Sequence, residues 1–376
     1  MEFAEPGLRL TPEAEVASFA SAGLHKDPNL YPGERPKDSY LTDGESVYAL
    51  HVRNVDGELR FSLPTEDGEA DIDDYLQQHR VASMQDRIPV LAFGANMCPA
   101  SLLAKYSKVG RPDALIVPTV YAELPGYDVV WSGGPGVNGN FIAMLYKGEE
   151  TKSTAVQVGV SFLTSEQLLV MHATELSYDL SAVPVKIGDK EVQAYYYAGV
   201  DSVYLEGDQP VAIEAIPAKG RALQESTTRA LMDKLVTDRE LLTSVYAEHP
   251  ELANVTSSVG YIQYAHDLLA KRGKGARLAL KQLVHATLAA NGRSKLNESV
   301  DGLQNRASWA NPSTLATFGQ QARGIRHNDL YRLPQQEILP KKAWPDPVAR
   351  QRVLGAVSTH MIRTSSDQLR TRRDNL

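Results

Sequence analysis

Between residues 88 and 198 seven strand-like segments follow one another with few helix-length intervals between them, and this succession constrains the fold more than any other feature. They are Ile88 to Phe93, Ala114 to Ala122, Tyr127 to Trp131, Phe141 to Tyr146, Ala155 to Phe162, Val183 to Ile187 and Glu191 to Ala198. A doubly wound sheet needs a helix after nearly every strand, so the pattern predicts an α+β or barrel architecture. One helix is well marked: Thr164 is placed to cap it, Gln167 completes the capping-box spacing, and Leu168, Leu169, Met171 and His172 follow. With 376 residues, 43% apolar and 23% charged, the chain is long enough for two or three domains and excludes collagen-like or wholly disordered classes.

Three regions are expected on either side of and including this stretch. Residues 1–86 are mixed. They hold a short helix from Thr11 to Ala22, an irregular arm from His25 to Gly44, and a hairpin in which Tyr48 to Arg53 returns through Leu59 to Leu63 by an Asp56-Gly57 turn. Residues 87–215 form the strand-rich domain. Residues 216–376 are mostly helical, with candidates at Gly220 to Glu248, Ser257 to Arg272, Gly275 to Ala290, Pro312 to Ala322 and Pro347 to Arg372.

Charge is divided unevenly along the chain. Residues 217–376 carry a net +10 and residues 1–216 a net −17, giving the total of −7. The basic residues are spread along helices and not packed into a run, which favours solvated helix faces or docking on the acidic half over nucleic-acid binding. The helical region has the roles of covering the strand domain, dimerising or engaging a protein partner or bulky substrate open to it. No apolar run approaches the roughly 20 residues that span a bilayer, and the acidic start Met1-Glu2-Phe3-Ala4-Glu5 does not read as a secretory signal. A cytoplasmic, non-membrane protein is expected.

The segment with most chemical content is Val90-Leu91-Ala92-Phe93-Gly94-Ala95-Asn96-Met97, an apolar strand entering a small-residue turn before a helix opening at Pro99. Backbone N–H groups in such a turn, with a helix amino terminus behind them, cradle anions; the same turn also serves plain structural roles. A second signal lies 79 positions after Asn96, where the Thr164 helix runs out at Glu175. A carboxylate at a helix carboxy terminus faces the negative end of the dipole, and burial would further disfavour its charge, which suits proton transfer. A solvated end-of-helix glutamate is the alternative.

Together these segments resemble the γ-glutamylcyclotransferase-like (AIG2-like) family. Phe93-Gly94-Ala95-Asn96-Met97 is similar to that family's Tyr-Gly-Ser-Asn-Leu turn, Leu124-Pro125-Gly126-Tyr127 to its Leu-Pro-Gly-Tyr segment, and Val156 to Phe162 with the helix to Glu175 to its strand and catalytic glutamate. Gly139 to Ala143 matches the strand between them, and Tyr178 follows the glutamate. The resemblance covers residues 88–200 and implies a small mixed β-barrel, here with an α/β amino-terminal extension and an all-helical carboxy-terminal region. It implies cleavage of a γ-glutamyl amide to 5-oxoproline and an amine, with Glu175 as acid/base and Phe93, Gly94, Ala95, Asn96, Met97, Tyr127 and Tyr178 as substrate-binding residues. No metal or organic cofactor is implied. Three departures stand out: Phe93 and Ala95 replace a Tyr and a Ser, and Leu176 stands where Gly usually follows the glutamate.

Three competing features remain. Cys98, the only cysteine, sits before a helix start and is an alternative nucleophile. His172 and Glu175 lie three apart on one helical face, a metal-ligand spacing, although a histidine packed below the carboxylate is the simpler reading. Gly134-Pro135-Gly136-Val137-Asn138-Gly139 fits the dinucleotide fingerprint, but a strand-like segment follows where a helix is needed, so it reads as a flexible loop.

Overall fold

The computed structural model of the chain describes residues 8, 10–22, 27–108, 115–136, 139–172, 178–199 and 202–297. The amino-terminal part contributes strands β1 (Ala14–Glu15), β2 (Tyr40–Asp43), β3 (Ser46–Ala49), β4 (His51–Val55), β5 (Glu58–Thr65) and β6 (Gly68–Asp71), then helix α1 (Ile72–Gln78). The Asp56-Gly57 turn joins β4 to β5 as expected, with Asp56 at φ 53° and Gly57 at φ 80°, the left-handed pair that matches the twist of a two-residue hairpin. Tyr48 belongs to the separate strand β3, and Tyr40, expected in the irregular arm, is buried within β2. The expected helix from Thr11 to Ala22 is corrected. The edge of β3 and the turn before it capture this segment, Glu13 N–H donating to Val47 O (2.8 Å) and Val16 N–H to Glu45 O (2.7 Å), and a 3₁₀ turn at Val16–Ser18 follows. Bonds to an existing strand edge outcompete a short isolated helix.

The middle of the chain supplies β7 (Ile88–Ala92), α2 (Pro99–Lys108), β8 (Ile116–Pro125), β9 (Asp128–Trp131), β10 (Ala143–Tyr146), β11 (Ala155–Leu163), α3 (Ser165–His172), β12 (Tyr178–Ile187) and β13 (Lys190–Gly199). The pairings return on themselves: β8 meets β12, β12 meets β13, β13 runs parallel to β7, β7 meets β11, and β11 meets β8. Alternate residues of β11, Val156, Val158, Val160 and Phe162, join Leu91, Val120, Ala122 and Tyr196 in the main core, as a period of two requires. The capping box at α3 forms as the spacing predicts, with Gln167 N–H donating to Thr164 Oγ1 (3.2 Å) and Thr164 N–H to Gln167 Oε1 (2.9 Å).

Beyond this lie β14 (Ser202–Glu206), β15 (Gln209–Pro210), β16 (Ala212–Ile213), β17 (Ala218–Lys219), β18 (Glu225–Ser226), α4 (Thr228–Thr237), α5 (Thr243–Glu248), α6 (Ser258–Ala290) and β19 (Ser294–Leu296). The two helices expected from 257 to 290 are present within α6 and meet at a kink at Gly273 (φ 81°, ψ −178°), a conformation reserved for glycine. The continuous helix expected over Gly220 to Glu248 is corrected to the short strand β18 followed by α4 and α5. Arg221 explains the difference. Its side chain reaches the buried Asp128 in β9 (Nε to Oδ2 2.8 Å, Nη2 to Oδ1 2.7 Å), and β18 pairs with β16 beyond it. Leu231, Val284 and Leu288 share the core of Leu41 and Val158, and β2 pairs with β8, so core and sheet join residues on both sides of positions 86 and 216. The architecture is mixed α+β. Among the described residues no helix is long and apolar enough to cross a membrane. The expected helices Pro312 to Ala322 and Pro347 to Arg372 lie outside the described residues.

Candidate functional site

β7 is buried except for half-buried Pro89, and it carries Phe93 into the main core. The chain then turns through a 3₁₀ turn at Ala95–Met97, closed by Met97 N–H to Gly94 O (3.0 Å) and Cys98 N–H to Ala95 O (3.1 Å). The N–H groups of Gly94 and Ala95 precede the first bond of that turn. Gly94, Ala95 and Asn96 are partly exposed, whereas Met97 and Cys98 are buried. A ligand can therefore approach the first half of the turn while its second half anchors it. Gly94 is required by close approach: a Cβ there would lie 2.9 Å from Tyr31 Oη and 3.0 Å from Ala143 Cβ. Tyr31 comes from the amino-terminal arm, where its Oη accepts from Ala143 N–H (2.7 Å) and its carbonyl from Thr228 Oγ1 (2.6 Å).

Asn96 reaches the other way, toward α2 and α3. Lys105 Nζ donates to Asn96 Oδ1 at 2.5 Å and lies 3.5 Å from Met171 Sδ. One residue on, Tyr106 donates to Gln167 O (3.3 Å). Successive α2 side chains thus hold two α3 residues four apart, which lie on one helical face. Tyr178, where β12 begins, pairs with Gly199; Gly199 packs on Met144, the neighbour of the Ala143 that touches Gly94. The described chain on either side of 173–177 is therefore tied to the 94–96 turn, through Lys105 at one end and through β10 at the other. Glu175 itself lies outside the described residues, as do the side chains of His172 and Tyr178.

The remaining expected residues fall elsewhere. Tyr127 bridges to Ala155 and sits under Lys147 Nζ (5.2 Å from the ring). In the β9–β10 register Tyr146 opposes Asp128 and Ala143 opposes Trp131, so Tyr127, four residues before Trp131, is about 13 Å along the strand from the contact with Gly94. The structure does not bring it to the turn. Met97 is fixed from below: Tyr40 Oη donates to its carbonyl (2.6 Å) and Arg35 Nη1 to its sulfur (3.4 Å), with Arg35 Nη2 on Ala215 O (2.8 Å). Cys98 is 1% exposed, packs against Gly33 and points its thiol at Ala20 O (3.7 Å). Burial pushes the thiol up from its ordinary range, the direction opposite to an activated nucleophile.

The glycine loop is held by α6, His285 lying against Gly134 and its Nε2 3.0 Å from Pro135 O; Val137 and Asn138 lie outside the described residues. Among the described residues no three His, Cys, Asp or Glu side chains converge as a metal-binding group. The sequence reading passed over Lys105 and Arg35. Nothing local marks them: Arg35 acts on Met97 and Ala215, both distant in sequence, and Lys105 joins the nearby Asn96 to the distant Met171. Compared with protein-family models, curated proteins and solved structures, the chain finds no match.

Proposed function

We propose that the chain cleaves γ-glutamyl amides by the cyclotransferase route, releasing 5-oxoproline and an amine. The observation that carries the proposal is the Lys105 tie, which joins the Asn96 turn to the helix leading toward Glu175. Two segments that the resemblance assigns to one site, and that lie 79 positions apart, thereby share a neighbour. The circuit of β8, β12, β13, β7 and β11 supports reading the domain as a small barrel of the γ-glutamylcyclotransferase-like type.

The chemistry needs few groups. Glu175 takes a proton from the substrate's α-ammonium; the freed amine attacks the γ-carbonyl carbon; the five-membered lactam closes as the C–N bond to the leaving amine breaks, Glu175 giving its proton to that nitrogen and the ring nitrogen losing its second proton, so that the amine departs as an ammonium. One amide is exchanged for another, so no electrons are gained or lost. The N–H groups of Gly94 and Ala95, at the accessible start of the turn, hold the substrate carboxylate or the oxyanion, each such donor worth about 3 kcal/mol in the transition state. Phe93 packs into the core and Ala95 presents only a methyl group, so no hydroxyl comes from these positions and backbone donors carry the binding. The regions flanking residues 88–200 favour a γ-glutamyl group on a larger amine or peptide over a simple dipeptide.

The lost hydroxyls also favour a second reading, a binding module of this fold that engages a protein or nucleic acid through its basic helices. Mass spectrometry of 5-oxoproline released from a panel of γ-glutamyl amines and peptides separates the two. Release is expected; a folded protein that releases none from any member supports the binding module.

A further inference from the structure

β4 stands at the end of its sheet, whose order is β4-β5-β6, and among the described residues it pairs only with β5. The two-residue turn at Asp56-Gly57 makes Val55 and Glu58 a hydrogen-bonded pair, and antiparallel alternation then makes Arg53 with Arg60 and His51 with Ser62 bonded pairs as well. The N–H and C=O groups of Val52 and Asn54 therefore point to the free edge. Such an edge is a template for another strand.

Beside it lies a groove of about 420 Å³, between Lys37 to Ser39 of the amino-terminal arm and Leu50 to Arg53, with Tyr121 and Gln157 also lining it. Both walls are held. Leu50 N–H donates to Ser39 O (2.9 Å) where the walls meet, and Lys190 Nζ donates to Gly57 O (2.5 Å) at the far tip of the hairpin. Tyr121 fixes the arm, its Oη donating to Pro36 O (2.6 Å) and its N–H to Ser39 Oγ (2.9 Å). The edge is thus kept from closing on the arm, and an incoming strand meets it already ordered. Of the charged residues on the groove, Lys37 and Arg53 are cations and Asp38 is an anion. Lys37 makes no ion pair among the described residues, and Arg53 shares a single Glu69 oxygen with His51. The lining carries an excess of positive charge.

Independently of the cyclotransferase reading, we propose that this groove docks an extended acidic peptide, which adds to β4 as a strand through the backbone of Val52 and sets its carboxylates against Lys37 and Arg53.

The probes are two fluorescein-labelled peptides, one alternating valine with glutamate and one alternating valine with lysine, titrated with the full chain and read by anisotropy. The acidic peptide is expected to bind and the basic one not. N-methylating one of the two alternating sets of amides removes donors without changing charge and is expected to weaken binding about tenfold. Val52→Pro removes the edge donor facing the groove, a change that an edge strand tolerates, and Lys37→Glu reverses a cation. Each is expected to lower affinity about tenfold with an unchanged circular dichroism spectrum, and Lys37→Arg to stay close to wild type. The N-methylated probes decide the matter on the wild-type protein if Val52→Pro does not fold. Binding of neither peptide, equal binding of both, or binding indifferent to N-methylation of either set overturns the proposal. So does a dimer in sedimentation that Val52→Pro dissociates, which would assign the edge to a second copy. None of these outcomes bears on 5-oxoproline release.

Discussion

Gly94→Ala inserts one methyl group where the structure leaves no room for it. The new Cβ would sit 2.9 Å from Tyr31 Oη and 3.0 Å from Ala143 Cβ, against the 3.5–4.0 Å at which carbon atoms ordinarily rest. Neither neighbour gives easily. Tyr31 is held by Ala143 N–H at its hydroxyl, by Thr228 at its carbonyl, and by the fully buried Trp131, whose ring centroid is 6.0 Å away. Ala143 is locked in the β10–β9 ladder opposite Trp131. Overpacking of this kind costs about 1–3 kcal/mol, and the strain falls on the turn that carries the candidate binding site. Urea denaturation followed by tryptophan fluorescence is expected to show a lower midpoint at unchanged slope, together with weaker substrate binding. Tyr31→Phe removes the nearer obstacle, so the double variant is expected to lose less stability than the two single losses combined. A Gly94→Ala protein with the wild-type midpoint would refute the packing described around the turn.

Two further outcomes follow from burial. Arg221→Met leaves the Asp128 carboxylate, fully buried, without its partner and is expected to cost about 3–5 kcal/mol, whereas Lys219→Met, at the exposed Lys219–Glu123 pair, is expected to cost less than about 1 kcal/mol; paired urea curves compare them. Cys98 is expected to resist a thiol reagent in the native protein and to react fully in denaturant, since its sulfur is enclosed and burial keeps it protonated. Rapid native labelling accompanied by loss of turnover would revive the nucleophile reading.

What was legible in the sequence is what short-range chemistry decides. Thr164 and Gln167 form their reciprocal cap, Asp56 and Gly57 take the left-handed turn, and Gly273 interrupts the long helix near where the periodicity breaks. The failures are places where a distant group wins. The segment after Thr11 has local helix signals, yet the carbonyls of Val47 in β3 and of Glu45 just before it claim its N–H groups. The segment after Gly220 reads as helix by periodicity, yet Arg221 is drawn to Asp128, 93 residues earlier. The candidate site divides in the same way. Gly94 to Met97 is visible as a strand-to-turn motif, but the residues that brace it, Tyr31, Arg35 and Lys105, arrive from other elements. Tyr127 follows a familiar local pattern and is carried by the β9–β10 register away from the turn.

The acid/base role assigned to Glu175 is the step on which the proposed reaction depends. It is tested by measuring kcat/KM for 5-oxoproline release by wild type and Glu175→Gln on the best substrate of the panel, with folding verified by circular dichroism. The proposed mechanism predicts a loss of about 10²–10⁴-fold in a protein that still binds substrate; undiminished turnover by Glu175→Gln would contradict it.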